Sequence, residues 1–170
     1  EVVVAKFIGR LLALAGAVAL GLGAAIALAP PGHAQVLAQL IVPTMLLGGA
    51  FLALGVLISG VVSRQITAAS LVVACWFLLV FFYDLGLLGL LVATDGAVSN
   101  TTVAALVIAN PAGLFRLQMM TQFAGPAVLE NLGMTIVLPS SAQIAAMWTG
   151  WIVAPVLASG LLLSRQKVSR

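Results

Sequence analysis

Apolar residues run along this chain in four long blocks broken by short polar punctuation. The first block extends from about Val2 to Ala29 and stops at Ala29-Pro30-Pro31-Gly32. The second covers about Val36 to Val62 and stops at Ser63-Arg64-Gln65. The third covers about Ile66 to Ala93 and stops at Thr94-Asp95-Gly96, and the fourth covers about Ser141 to Leu163, before RQKVSR. None shows the two-residue alternation of a half-buried strand. Each exceeds the roughly 20 residues needed to cross about 30 Å of hydrocarbon at about 1.5 Å per residue. The pattern predicts an all-α integral membrane protein: four transmembrane helices in one transmembrane domain, residues 1–170.

The connection between the third and fourth blocks, about residues 95–140, is too long for a turn and too apolar for a solvated loop. Val103 to Ala109 is apolar, NPAGLFRLQMM follows, and AVLENLGMTIVLP comes later. Asn110 can cap a helix whose first residue is Pro111, because proline has no N–H to leave unpaired there. In such a helix Phe115, Met119 and Phe123 share one face. The expectation is a set of short helices, either at the outer interface or partly re-entrant, or packed on the bundle.

Small residues offer close helix packing. Ala15, Ala19, Gly23 and Ala27 recur every fourth position in the first block, and the second carries Gly48, Gly49, Ala53, Gly55 and Gly60. Such residues let backbones approach, so that dispersion holds the helices together. The short Ser63-Arg64-Gln65 turn makes the second and third helices antiparallel neighbours.

Composition places these helices in lipid. The 170 residues are 63% hydrophobic and 6% charged, against roughly 45–50% and about 25% in soluble domains. Every Lys and Arg except Arg116 falls on one side of a four-span arrangement: Lys6 and Arg10, Arg64, and Arg165, Lys167 and Arg170. The positive-inside rule puts both ends in the cytoplasm. The net charge of +3 is scattered, with no basic stripe for nucleic acid. The opening EVVVAKFIGR has no signal-peptide layout and begins so close to a span that an N-terminal part is expected to precede Glu1.

Little catalytic chemistry is on offer. No GxxxxGK[ST] loop is present to cradle nucleotide phosphates, and no HExxH. Cys75 is the single cysteine and His33 the single histidine, so neither a disulfide nor a metal cluster is expected. The residue that stands out is Asp84, within FLLVFFYDLGLLGLL. An ionised aspartate at mid-bilayer costs about 2.5–3.5 kcal/mol on insertion scales, so it needs a partner, water or a proton. Three arrangements would serve. The third helix could bend or end near Gly86, lifting Asp84 towards the outer interface. Arg116 could be carried inward to pair with it. Asp84 could instead line a translocation path.

The order of these features resembles one family. Trp76-Phe77, then Tyr83-Asp84, then Asn110-Pro111, then Phe115-Arg116, with AKFIGR at residues 5–10 leading into the first span, is similar to the permease subunits of ABC-2-type transporters that mature nitrous oxide reductase. The resemblance covers essentially the whole chain. It implies that the four helices are spans three to six of a six-span permease, although the SRQ turn is less charged than the family's loop. It also implies a homodimer with a second permease copy, and two cytoplasmic ATPase subunits that bind ATP and Mg in place of this chain. A periplasmic β-helical accessory protein would dock on the outer face, where Asn110, Pro111, Phe115 and Arg116 would contribute. The machine as a whole would assemble the copper site of the reductase. The rival readings are a four-span scaffold or secondary carrier that needs no ATPase, and an ion channel gated at Asp84.

Overall fold

The structure, a computed structural model, describes residues 2–123 and 139–168. The stretch AVLENLGMTIVLP lies outside the described residues apart from Pro139, as do the basic side chains of the C-terminal tail. Helix α1 is Val2–Ala27. It ends where Pro30 and Pro31 remove two donors, and a turn closes from Pro30 O to His33 N at 3.1 Å. Gly32 takes φ +89° in that turn, the position that type II turns reserve for glycine. The short α2, Ala34–Gln39, leads through Leu40 into α3, Ile41–Val61.

Helix α4 is Gln65–Phe77; it widens into a π-helical turn, Leu78–Phe82, and continues as α5, Tyr83–Ala93. Gln65–Ala93 is therefore one apolar span of 29 residues. It ends in a Schellman motif: Gly96 N donates to Leu91 O at 2.9 Å, and Asp95 N to Val92 O at 3.2 Å. Asp95 holds the left-handed conformation that this ending requires, at φ +47°.

Two short helices follow. Helix α6, Asn100–Ala109, starts on Ser99, whose hydroxyl accepts from Thr102 N. Helix α7, Pro111–Phe123, departs from α6 at 111°. Helix α8, Ser141–Val168, begins with a capping box in which Ser140 N donates to Gln143 Oε1 at 2.8 Å and Gln143 N to Ser140 Oγ at 3.3 Å.

Four helical stretches are long and apolar enough to cross a membrane: Val3–Ala27, Ala34–Val61, Gln65–Ala93 and Ser141–Ser164. They follow the blocks expected from sequence, with shifts of one or two residues at the ends. Leu12, Leu20, Ile66, Leu88 and Leu161, among others, lie open on the surface, as helices bathed in lipid require.

The chain forms two compact units, residues 1–74 with 148–170, and residues 75–147. In the first, α3 is the central helix. Ala50 and Ala53 are fully buried, and Phe7, Ala53 and Val56 form a core joined by Leu11, Ile152 and Val156. The glycines of α3 act as holes for larger side chains. Leu14 fills the space at Gly48, Leu11 and Ile152 fill that at Gly49, and Ser159 sits against Gly60. The small-residue stripe of α1 lies largely outside this core. Ala15 is half-buried, but Ala19, Gly23 and Ala27 are exposed. The face of α1 turned inward carries Phe7, Leu11, Leu14 and Val18, because the small residues that permit close approach are supplied by α3.

Candidate functional site

The second unit holds the site. Its geometry starts with the π turn. In an α-helix the N–H of Tyr83 would bond to the carbonyl of Leu79; here it bonds to Leu78 instead. The Leu79 carbonyl thereby loses its regular donor. Such a group within an apolar span costs several kcal/mol unless another donor reaches it.

Asn110 is that donor. Its Nδ2 gives a hydrogen bond of 2.6 Å to Leu79 O, and its Oδ1 accepts from Ala112 N at 3.1 Å. One side chain thus satisfies the π turn and caps α7. The residue before a proline is pushed to extended backbone, and Asn110 has φ −97° and ψ 129°. Those dihedrals end α6, and Pro111 starts α7 in a new direction. Gly113 makes the fold-back possible: a side chain there would collide with the backbone carbonyl of Val107.

Depth follows from register. Tyr83 donates its phenol to Leu106 O at 2.7 Å. As α6 advances from Leu106 to Asn110, its partners in the third span retreat from Tyr83 to Leu79. α6 therefore runs antiparallel to α5, from the span's end towards its centre. Leu79 is the middle residue of the 29-residue span.

Arg116 completes the site. Its Nη1 is paired with Asp84 Oδ2, and its Nη2 donates to Val80 O at 2.7 Å. Val80 and Asp84 are one turn apart, so the guanidinium fork spans a backbone carbonyl and a carboxylate on one face. Both charged side chains remain 43% exposed. α5 continues through Gly86 to Ala93, so the third helix does not end near Gly86.

Of the four residues expected at an outer docking surface, two are buried and two half-buried. Asn110 is 1% exposed, Pro111 is fully buried and Leu114 is 0% exposed. Phe115 and Arg116 are half-buried. The inward face of α7 is Leu114 and Leu117, and along the Phe115, Met119 and Phe123 stripe exposure increases to 45% at Phe123. Tyr83, Gly113 and the π turn were not singled out by their chemistry in the sequence. Tyr83 stood in the sequence only as half of the Tyr83-Asp84 pair that carries the family resemblance; an apolar LLVFF run carries no mark of a wider helical turn. Among the described residues no cluster of His, Cys, Asp or Glu could hold a metal ion.

No family model matches the chain. Two curated proteins are similar to it. One, from Pseudomonas aeruginosa, carries the name probable ABC transporter permease protein NosY and is 33% identical over 177 residues, covering 97% of this chain and 64% of that protein. The other, of the same name and from Stutzerimonas stutzeri, is 32% identical over 180 residues, covering 98% of this chain and 64% of that protein. The chain thus spans a little under two thirds of the length of the curated relatives it matches.

Proposed function

We propose, on the premise that this chain is a relative of the ABC transporter permeases named NosY, that it is a membrane-embedded part of an ABC-2-type transporter. Its task would be to carry a substrate needed for the copper site of nitrous oxide reductase. ATP and Mg would be bound by separate cytoplasmic ATPase subunits. A second permease copy would complete the membrane core, and a periplasmic β-helical protein would receive or deliver the substrate outside.

One observation supports a transport path above the rest: an ion pair near the middle of an apolar span that is open on one side. Asp84 and Arg116 are each 43% exposed. Hydrocarbon is a poor medium for that open side, since charged groups in spans face a bundle interior or water. A water-filled path or the second permease copy would both accept it. The exposed Lys6, Arg10 and Arg64 agree with cytoplasmic ends.

Co-expression of the full-length protein with its candidate ATPase tests the reading. Co-purification, stimulated ATP turnover, and loss of reductase copper-site assembly in Asp84→Asn with the complex intact are expected. A protein that purifies without an ATPase and leaves reductase maturation unchanged when deleted would overturn it.

A further inference from the structure

The geometry points to the π turn Leu78–Phe82 being a register switch in the third span, held in its wide state by Asn110 and Arg116. A π turn accommodates one residue more than the α-helix around it. If the same residues return to α geometry, everything beyond the turn rotates by about 100° and advances by about 1.5 Å. α5 carries Tyr83 and Asp84, so the switch would swing both away from α6 and α7. Only the backbone pattern of one turn has to change.

Three contacts hold the wide state, and each joins the third span to Asn110 or Arg116. Asn110 occupies the Leu79 carbonyl that the wide turn leaves without Tyr83 N–H. Arg116 occupies the Val80 carbonyl next to it. Asp84 fixes Arg116 in place from the next turn. In the α state the Leu79 carbonyl would regain Tyr83 N–H, and Asn110 would lose its acceptor. The Leu79 carbonyl is thus paired in both states, by Asn110 in the wide one and by Tyr83 N–H in the α one, so neither leaves that acceptor bare within the span. Asn110 is 1% exposed, so it cannot turn to bulk water when released. Movement of α7 and of the register in α5 are therefore coupled. Asn110 and Arg116 act here as positioning residues, whether or not the chain transports anything.

Oxygen accessibility of nitroxide labels, read by electron paramagnetic resonance, tests this in full-length protein in lipid nanodiscs. Labels are placed singly at positions 66–74 and 85–92 in a Cys75→Ser background. The parent is expected to show lipid-facing maxima in the two segments offset by about 100° from an unbroken α-helix. Asn110→Ala and Arg116→Gln are expected to reduce that offset towards zero without changing positions 66–74. An offset absent from the parent, or retained in both variants, overturns the switch. Deleting Phe81 decides the matter even where Asn110→Ala fails to fold. Removal of the extra residue should leave both segments facing lipid as in the parent, whereas a rotation of about 100° beyond the deletion would overturn the proposal.

Discussion

Asn110 donates its side-chain amide to the carbonyl of Leu79, the one carbonyl that the π turn deprives of Tyr83 N–H. A residue 31 positions further along the chain thus repairs a break in the hydrogen-bond ladder at the centre of a membrane span. The same side chain caps the helix that carries Arg116 to Asp84. Backbone repair, helix start and ion pair are three consequences of one placement.

Asn110→Ala should therefore cost more than an ordinary cap. Losing a cap costs about 1 kcal/mol, and leaving a buried acceptor unpaired adds about 1–3 kcal/mol. Asn110→Ser can still cap α7 but is too short to reach Leu79, so it should recover only the first part. Thermal unfolding of the full-length protein in detergent should rank the three as parent, Ser, Ala. Equal stability of the Ser variant and the parent would show that the Leu79 bond contributes nothing.

Asp84 and Arg116 should be energetically coupled. Asp84→Asn leaves a cation with only the Val80 carbonyl, and Arg116→Gln leaves an unpaired carboxylate in the span. The double variant removes both charges and should be less harmful than the sum of the singles, with a coupling of about 0.5–3 kcal/mol. Interhelical polar pairs in membranes average about 0.6 kcal/mol, so the lower half of that range is expected. A double-mutant cycle on unfolding in detergent measures it; strictly additive losses would mean the pair is not coupled.

The fold was legible because four blocks of apolar residues are each as long as a bilayer is thick, and little else can be done with them in water. Helix ends were legible where chemistry marks them, at Pro30-Pro31-Gly32 and at Asn110-Pro111. The site was legible in part. A lone Asp84 in hydrocarbon demands a partner, and Arg116 was the basic residue available on its side. The π turn was not legible, because Leu78–Phe82 differs from its neighbours in backbone pattern and not in residue type. The face that α1 turns to α3 was not legible for a related reason. A small-residue stripe says that close approach is possible, but not which helix of a pair supplies the small residues.

Gly113→Ala should disrupt the site although the change is one methyl group. Its Cβ would meet the carbonyl of Val107, a backbone atom that cannot turn aside. Gly86→Ala and Gly89→Ala meet nothing within 4 Å and serve as controls. Alanine is favoured over glycine within a helix by about 1 kcal/mol, so the controls should be neutral or stabilising. Limited proteolysis in nanodiscs should show earlier cleavage around α6 and α7 for Gly113→Ala alone. A Gly113→Ala protein as resistant as the controls would mean that α6 and α7 do not approach this closely.

Ser159 offers a test in the other unit. It is 1% exposed, it sits against Gly60, and its Oγ has no hydrogen-bond partner among the described residues. Burying an unpaired hydroxyl is unfavourable by about 1–3 kcal/mol in protein interiors. Ser159→Ala removes that penalty and opens a space too small to hold a water, so the variant should be as stable as the parent or more so. Gly60→Ala should do the opposite. Its Cβ would come within 3.1 Å of Ser159 Oγ, tighter than ordinary contact, and force α3 and α8 apart by a few tenths of an ångström. Combining the two changes relieves much of that crowding, so Gly60→Ala should be better tolerated with Ser159→Ala than with Ser159. Unfolding midpoints of the four proteins decide it: a loss of stability on Ser159→Ala alone would mean that the hydroxyl has a partner and is holding the two helices together.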